Sequence, residues 1–276
     1  MGVLYVVATP IGNLEDLSPR ARRILGDVSL VAAEDTRHTG SMLRRLGIGT
    51  PLISNHGFNE RSRVERLLEA LADGDVALVS DAGTPAISDP GAIFVRAAAE
   101  AGYKVIPIPG PSAVTAAVSA SGLVDGQFLF VGFLPRASGE RDKTLSAALK
   151  SGVPLVLYES GNRINALCES LESNAPNREI AVFRELTKLH EQAIRGVAAD
   201  LSTLLTDISR KGEFVVVVGV GAETNPVDLD QLIRHELAHG RKASDIAREL
   251  AKQTDQPRSE IYDRVLVLSK TDNQGA

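Results

Sequence analysis

Strand-sized apolar runs recur through the first 110 residues, and most of them are followed by helix-period stretches. Leu4–Ala8, Val28–Ala33, Leu52–Ser54, Val76–Val79 and Val105–Ile108 read as strands. Ser18 and Pro19 supply an N-cap and a proline at the first helical position for a helix through Leu25. Asn59–Ala72 carries Val64, Leu67, Leu68 and Leu71 on one face, and further helices run over Ala92–Ala101 and from Ser112 to about Ala120. E-D-T-R (Glu34 to Arg37) reads as the loop that ends the second strand. Strand, helix and strand at this spacing imply right-handed crossovers and a largely parallel sheet.

A second unit begins near Gly126. Its strands read at 128–131, 155–158, 180–183, 191–195 and 214–218, with helices near Glu140–Lys150, Asn162–Ser173 and Val197–Leu205. The stretch around Glu185–His190 looks like an antiparallel hairpin, so this sheet should be mixed. A-E-T-N-P after Gly221 suits a linker. Beyond it Leu232, Ile233, Leu237, Ala243, Ile246, Ala247, Leu250 and Ala251 follow a helical period, with Arg234, Arg241, Lys242, Arg248, Lys252, Arg258 and Arg264 nearly matched by acids. The expected division is 1–122, 123–222 and a helical extension over 227–268. That extension suits either docking of a partner or RNA, or packing and dimerisation.

Composition supports an α/β protein, because 276 residues with 43% hydrophobic but only 4% aromatic content must pack mainly on aliphatic and alanine side chains. The lone Cys168 excludes an internal disulfide and a multi-cysteine metal site, and its helical setting suggests a buried thiol. The N-terminus lacks a basic segment and its apolar run breaks at Pro10, so no signal peptide is read. No apolar run reaches membrane length, and a cytoplasmic protein is expected. Net charge is −5, yet Ser18–Arg66 holds nine arginines against five acids. Arginine forks suit phosphate, and they equally populate solvated helix faces.

Three Gly/Pro-rich segments follow strands that should share one sheet edge: T-P-I-G-N (Thr9–Asn13), S-D-A-G-T-P-A-I-S-D-P-G (Ser80–Gly91) and P-G-P-S-A (Pro109–Ala113). Such segments expose backbone N–H groups at the carboxyl ends of strands, where α/β proteins place ligands. The third opens a helix, leaving the N–H groups near Ser112 to Val114 free for a ligand oxygen. The chain has no GxGxxG, no GxxxxGK[ST], no HExxH and no GxSxG. Nicotinamide, P-loop, zinc-protease and serine-hydrolase chemistry thus receive no motif support, and no metal site is expected.

The ordered set V-A-T-P-I-G-N-L, A-A-E-D-T-R, S-D-A-G-T-P-A-I-S-D-P-G, I-P-G-P-S-A-V-T, Y-E-S-G-N-R, R-E-L-T-K and K-G-E-F-V-V-V-V spans about residues 3–268. It resembles the tetrapyrrole methylase superfamily, and within it the bacterial 2′-O-cytidine methyltransferases of small-subunit ribosomal RNA. The resemblance implies two α/β domains with a cleft between them for S-adenosyl-L-methionine. It also implies a homodimer, and a cytidine ribose in the decoding region of 16S rRNA or the small subunit as acceptor. A tetrapyrrole or other small acceptor is the alternative, and a silent RNA-binding scaffold a third.

Carried over residue by residue, Asp81, Gly83, Thr84, Ala113 and Val114 should line the donor site, with Tyr158, Arg184 and Gly212-Glu213-Phe214 closing it. Candidate bases for the ribose hydroxyl are Glu34, Asp35, His56 and Glu185, while Arg37 and Lys188 are candidates for phosphate contacts. T-P-I-G-N and A-E-D-T-R fall to the acceptor side. Where the RNA enzymes usually read Y-E-S-P-H-R, this chain has Gly161 and Asn162. Gly161 should loosen that turn, and Asn162 is placed to cap the following helix.

Overall fold

Strands β1 (Val3–Val7), β2 (Leu30–Ala33), β3 (Leu52–Ser54), β4 (Val76–Val79) and β5 (Lys104–Ile108) form one sheet in the order β3-β2-β4-β1-β5. Every pairing in it is parallel. β4 is buried along its whole length, as a central strand covered on both faces must be. The structure, a computed structural model, describes residues 2–57, 59–221, 229–239, 241–254 and 257–272. The chain divides into two compact units, Met1–Val220 and Gly221–Ala276.

Helices α1 (Pro19–Asp27), α2 (Thr36–Arg45), α3 (Glu60–Asp73), α4 (Ala92–Glu100) and α5 (Ala113–Ser121) accompany this sheet. Ser18 caps α1 as expected, its Oγ accepting from Ala21 N at 3.1 Å. One face of the sheet packs on Ala21, Ile24, Leu25 and Leu43, the other on Leu67, Leu71, Phe94 and Ala98. Burying a side chain such as Phe94 contributes about 1.5–3 kcal/mol. Helix α2 corrects the sequence reading, which has a loop there. Thr36, His38, Thr39, Gly40 and Ser41 are poor helix formers, so no periodic signal stands out. Asp35 starts the helix nonetheless by accepting from Arg37 N at 2.8 Å, and Leu43 anchors it in the core.

The second sheet contains β6 (Leu129–Phe133), β7 (Leu155–Ser160), β8 (Glu179–Arg184), β9 (Gln192–Val197) and β10 (Glu213–Val218), in the order β6-β7-β10-β8-β9. It is mixed, as expected: β6 and β7 are parallel and the other pairs antiparallel. Helices α6 (Ser138–Leu149) and α7 (Ile164–Asn174) cover one face through Leu145, Leu167, Cys168 and Leu171. Burial pushes the Cys168 thiol up to about 12, so it behaves as a small hydrophobe. The helix expected over 197–205 shrinks to α8 (Leu201–Leu204) after a tight turn, because Val197 is taken into the β9 ladder opposite Glu179.

Val114 and Ala117 of α5 are buried against the other face of this second sheet, beside Val156, Phe183, Val215 and Val217. A helix that follows β5 of the first sheet therefore packs on the second, and it sets the loop before it against β7 and β10.

The unit Gly221–Ala276 contains α9 (Leu229–Ala238), α10 (Ala243–Thr254) and α11 (Arg258–Asp272). Ile233, Ile246, Ala247, Leu250, Ile261 and Val265 meet in its core. Arg264 Nε donates to Asp230 Oδ1 at 2.7 Å, tying α11 to α9. The linker expected at 222–226, and residue 227, lie outside the described residues, as does the side chain of Lys252. Among the described residues no helix is long and apolar enough to cross a membrane.

Candidate active site

The loops after β1, β4 and β5 meet at one sheet edge. Thr9 and Gly83 exchange backbone hydrogen bonds of 2.9 and 3.0 Å, and Thr84 Oγ1 donates to Pro111 O at 3.2 Å. Within Ser80–Gly91, Ala86 and Ser88 adopt positive φ (67° and 63°), a conformation that side chains disfavour. The far end of this loop is anchored by a residue distant in sequence. Glu60, only 5% exposed, accepts from Gly91 N and Ile93 N at 2.9 Å each and from Phe94 N at 3.4 Å. Helix α4 has no side-chain cap of its own, so Glu60 satisfies its first N–H groups and complements its dipole.

A cavity of about 230 Å³ opens between these loops and the second sheet. Asp81, Gly83, Thr84, Asp89 and Ala113 line it from one side, Phe133, Tyr158, Glu159 and Glu213 from the other, and Glu34 joins them. Among the described residues that line it, none is Lys, Arg or His. A larger depression of about 720 Å³ adjoins it, sharing Ile11, Asp81, Ala82 and Glu213. It continues between α2 (His38, Ser41, Arg45) on one wall and Glu185 and Lys188 on the other.

The ends of β2 and β4 interlock through carboxylates. Asp81 N donates to Glu34 Oε2 at 3.3 Å, and Asp35 N donates to Asp81 Oδ1 at 2.9 Å. Burial, helped by the nearby Asp81 charge, raises the Glu34 carboxyl above its ordinary value, although the Asp81 N–H opposes this. Burial and then Glu34 push Asp89 up to about 6. Burial also pushes the Tyr158 hydroxyl up to about 12, against the Val114 backbone N–H. Asp35 is the opposite case: hydrogen bonds from the Arg37 side chain and backbone hold it well below the carboxylate range.

On the far wall, Lys188 Nζ lies 2.8 Å from Glu185 Oε1 and 2.9 Å from Glu213 Oε2. Burial alone would raise Glu185, but Lys188 and the Glu213 N–H bring it below its usual value. Gly212 leaves room for this arrangement: at φ +103° it has no side chain, and a Cβ there would come within 2.5 Å of Glu185 Oε1.

Of the residues expected at the site, Glu34, Asp81, Gly83, Thr84, Ala113, Tyr158 and Glu213 come together around the smaller cavity. Glu185 and Lys188 line the larger one. Asp35 and Arg37 sit at the start of α2 and line neither, with the Arg37 side chain 91% exposed. Val114 is packed under Tyr158 against the second sheet instead of facing the smaller cavity. Arg184, 7% exposed, is likewise turned to the protein, donating to Lys211 O (2.9 Å), His190 O (3.3 Å) and Gln192 Oε1 (3.1 Å). His56 lines neither cavity but is near enough to oppose the rise of Glu34.

Asn162 does not cap α7. It is exposed, and Arg163 occupies the cap position without a side-chain cap bond, pairing with buried Glu159 at 3.2 Å. Nor is the turn loose at Gly161, whose N–H donates to Gly212 O at 2.8 Å and where any Cβ would overlap Arg210 O. Sequence reasoning missed Asp89, Phe133, Glu159 and Glu60. The second S-D pair inside Ser80–Gly91 was a usable signal for Asp89, whereas nothing local marks Glu60.

The model of a family described as tetrapyrrole (corrin/porphyrin) methylases matches residues 3–202. A Synechocystis protein named ribosomal RNA small subunit methyltransferase I is 44% identical over 97% of this chain and 99% of its own. A Xylella fastidiosa protein of the same name is 43% identical, over 95% and 98%. Among solved structures, uroporphyrin-III C-methyl transferase from Thermus thermophilus, complexed with S-adenyl homocysteine, has a TM-score of 0.55 at 18% identity, covering 78% of this chain and 97% of that one. With a family match over most of its length and relatives alike from end to end, this chain belongs to the tetrapyrrole (corrin/porphyrin) methylase family.

Proposed function

We propose that this protein transfers a methyl group from S-adenosyl-L-methionine to the 2′-oxygen of a cytidine ribose in the decoding region of 16S ribosomal RNA. The observation that carries the reading is the near full-length likeness to proteins named ribosomal RNA small subunit methyltransferase I. The cavity fits the donor. A ligand with a sulfonium and an ammonium group suits described walls that present Asp81, Asp89 and Glu213 and no cationic side chain. When bound, the donor supplies an electrophilic methyl group.

The chain's own residues supply placement and a proton acceptor. Asp81, Gly83, Thr84, Ala113, Tyr158 and Glu213 hold the donor. Val114 serves it through the N–H beside Tyr158, and Arg184 by fixing the backbone before Glu213. Alignment of this kind contributes on the order of 7–11 kcal/mol. Glu34 is the base we favour, because it lines the cavity and burial raises its proton affinity. Such a base adds about 10²- to 10⁴-fold. Asp35 and Glu185 are tied to Arg37 and Lys188, which lowers their basicity. They orient their partners, with Arg37 exposed to reach an RNA phosphate and Lys188 bordering the acceptor depression.

The same reading includes domains over 1–122 and 123–222, the extension over 227–268, and a homodimer working in the cytoplasm. Labelled methyl transfer to small subunits from cells lacking the modification tests it. Label on the ribose of a single cytidine is the expected result. Label accepted only by tetrapyrrole precursors would overturn the RNA reading in favour of a small acceptor.

A further inference from the structure

We propose that the face of α2 carrying His38, Ser41 and Arg45 is the track that receives the phosphodiester backbone of the acceptor RNA beside the nucleotide being methylated. This rests on the RNA reading above and assigns its contact surface.

Residues 38, 41, 42 and 45 recur at the spacing that puts them on one side of a helix, and all four line the larger depression. From His38 to Arg45 that face runs about 10 Å. The depression shares Ile11, Asp81, Ala82 and Glu213 with the smaller cavity, so a chain lying along α2 passes directly beside the donor site.

The two walls differ in charge. Lys188, on the far wall, is held by Glu185 and Glu213, so that side offers a phosphate two carboxylates for one cation. On the near wall His38, Ser41 and Arg45 are exposed, and Arg45 makes no ion pair among the described residues. An unpaired arginine fork beside a hydroxyl suits a phosphate oxygen. Phosphate is therefore drawn to α2 and repelled from the β8–β10 side.

The track is also rigid and in register with the donor loop. Leu43 anchors α2 in the core beside half-buried Met42, Asp35 caps its first turn, and the Asp35 N–H binds Asp81 Oδ1 at 2.9 Å. One hydrogen bond thus joins the start of the phosphate-binding helix to the loop that holds the donor. This geometry explains why an acid-lined donor cavity and a polyanionic acceptor coexist: Arg45 lines only the larger depression, on the wall away from Glu185 and Glu213.

The test uses the full-length protein, small subunits from cells lacking the modification, and the variants Arg45→Ala, Arg45→Glu, Arg45→Lys and His38→Ala. Arg96→Ala, an arginine on α4 away from both depressions, controls for net charge. Arg45→Ala is expected to raise KM for subunits roughly tenfold, with donor affinity by calorimetry unchanged. The plot of log Kd against log salt should flatten by about 0.7 for each phosphate that is no longer bound. Arg45→Glu should be worse, Arg45→Lys should recover part of the effect, and Arg96→Ala should match the wild type. If the wild type labels subunits and the Arg45 and His38 variants keep its KM and salt slope, the α2 track is wrong. If the wild type binds donor but labels no subunit, the RNA reading itself fails and the track falls with it.

Discussion

Glu34 and Asp81 hold one another from the ends of neighbouring strands, the Asp81 N–H donating to Glu34 Oε2 at 3.3 Å while Asp81 Oδ1 accepts from the residue after Glu34 at 2.9 Å. The residue proposed as base and the one proposed to hold the donor are thus parts of one hydrogen-bonded unit. Asp81→Asn keeps an oxygen for the Asp35 N–H but removes the charge, whereas Asp81→Ala removes both. Both variants are expected to weaken donor binding by about 1.5–3 kcal/mol, tenfold or more. Only the alanine variant should also disturb the start of α2. Calorimetry showing wild-type affinity in both would remove Asp81 from the donor site.

Asp89 gives the protein a pH signature. Burial, then Glu34, lifts its native pKa from the ordinary 3.8 to about 6. The native state therefore holds this proton where the unfolded chain has lost it, and stability from this group falls as pH rises from about 4 to about 6, then levels off. Asp89→Asn should accordingly raise Tm relative to wild type at about pH 7.5, with the difference closing near pH 4. A Tm difference that does not change with pH would refute this account. A cationic ligand in the cavity favours the ionised form, so donor binding at pH near 6 should release protons, measurable by calorimetry in buffers of different ionisation enthalpy.

Glu60 is expected to act on the donor loop from outside the cavity. Glu60→Ala strands the N–H groups of Gly91, Ile93 and Phe94, at a cost of about 1–3 kcal/mol for each buried donor left unsatisfied. Urea unfolding should show that drop in stability, and Glu60→Gln, which keeps an acceptor oxygen, should recover part of it. Equal stability of all three proteins would mean the loop is held by other contacts.

At Gly161 the expectation is steric. A methyl group there would overlap Arg210 O, and proline would also forfeit the hydrogen bond to Gly212 O. Gly161→Ala should cost about 1–3 kcal/mol, and Gly161→Pro more. Asn162→His, on an exposed neighbour, should change stability by no more than about 0.5 kcal/mol. A stable Gly161→Pro protein would show that the 210–212 turn yields readily.

Both sheets, the buried Cys168 and the meeting of three loops at one edge are legible in the sequence, since each follows from local periodicity or from Gly and Pro clusters. Helix α2 is not, because its residues are poor helix formers and it depends on Asp35 and on Leu43 reaching the core. Of the residues that family resemblance assigns to the donor side, most gather around the smaller cavity, while Val114 and Arg184 lie behind the surface that lines it.

Apart from α2 and the extent of α8, strand and helix identity, the loop positions and the family were determined by the sequence alone, because short-range pattern carries them. Only the tertiary structure decided which carboxylates share a cavity, which are neutralised, and that Arg45 has no ion pair among the described residues. Glu34 meets Asp81, Lys188 meets Glu213, and Glu60 meets Gly91 across long stretches of chain. The basicity of Glu34 and Asp89 and the compensation of Lys188 are set by burial and by neighbours at a few ångströms, quantities that come into existence only when distant segments pack.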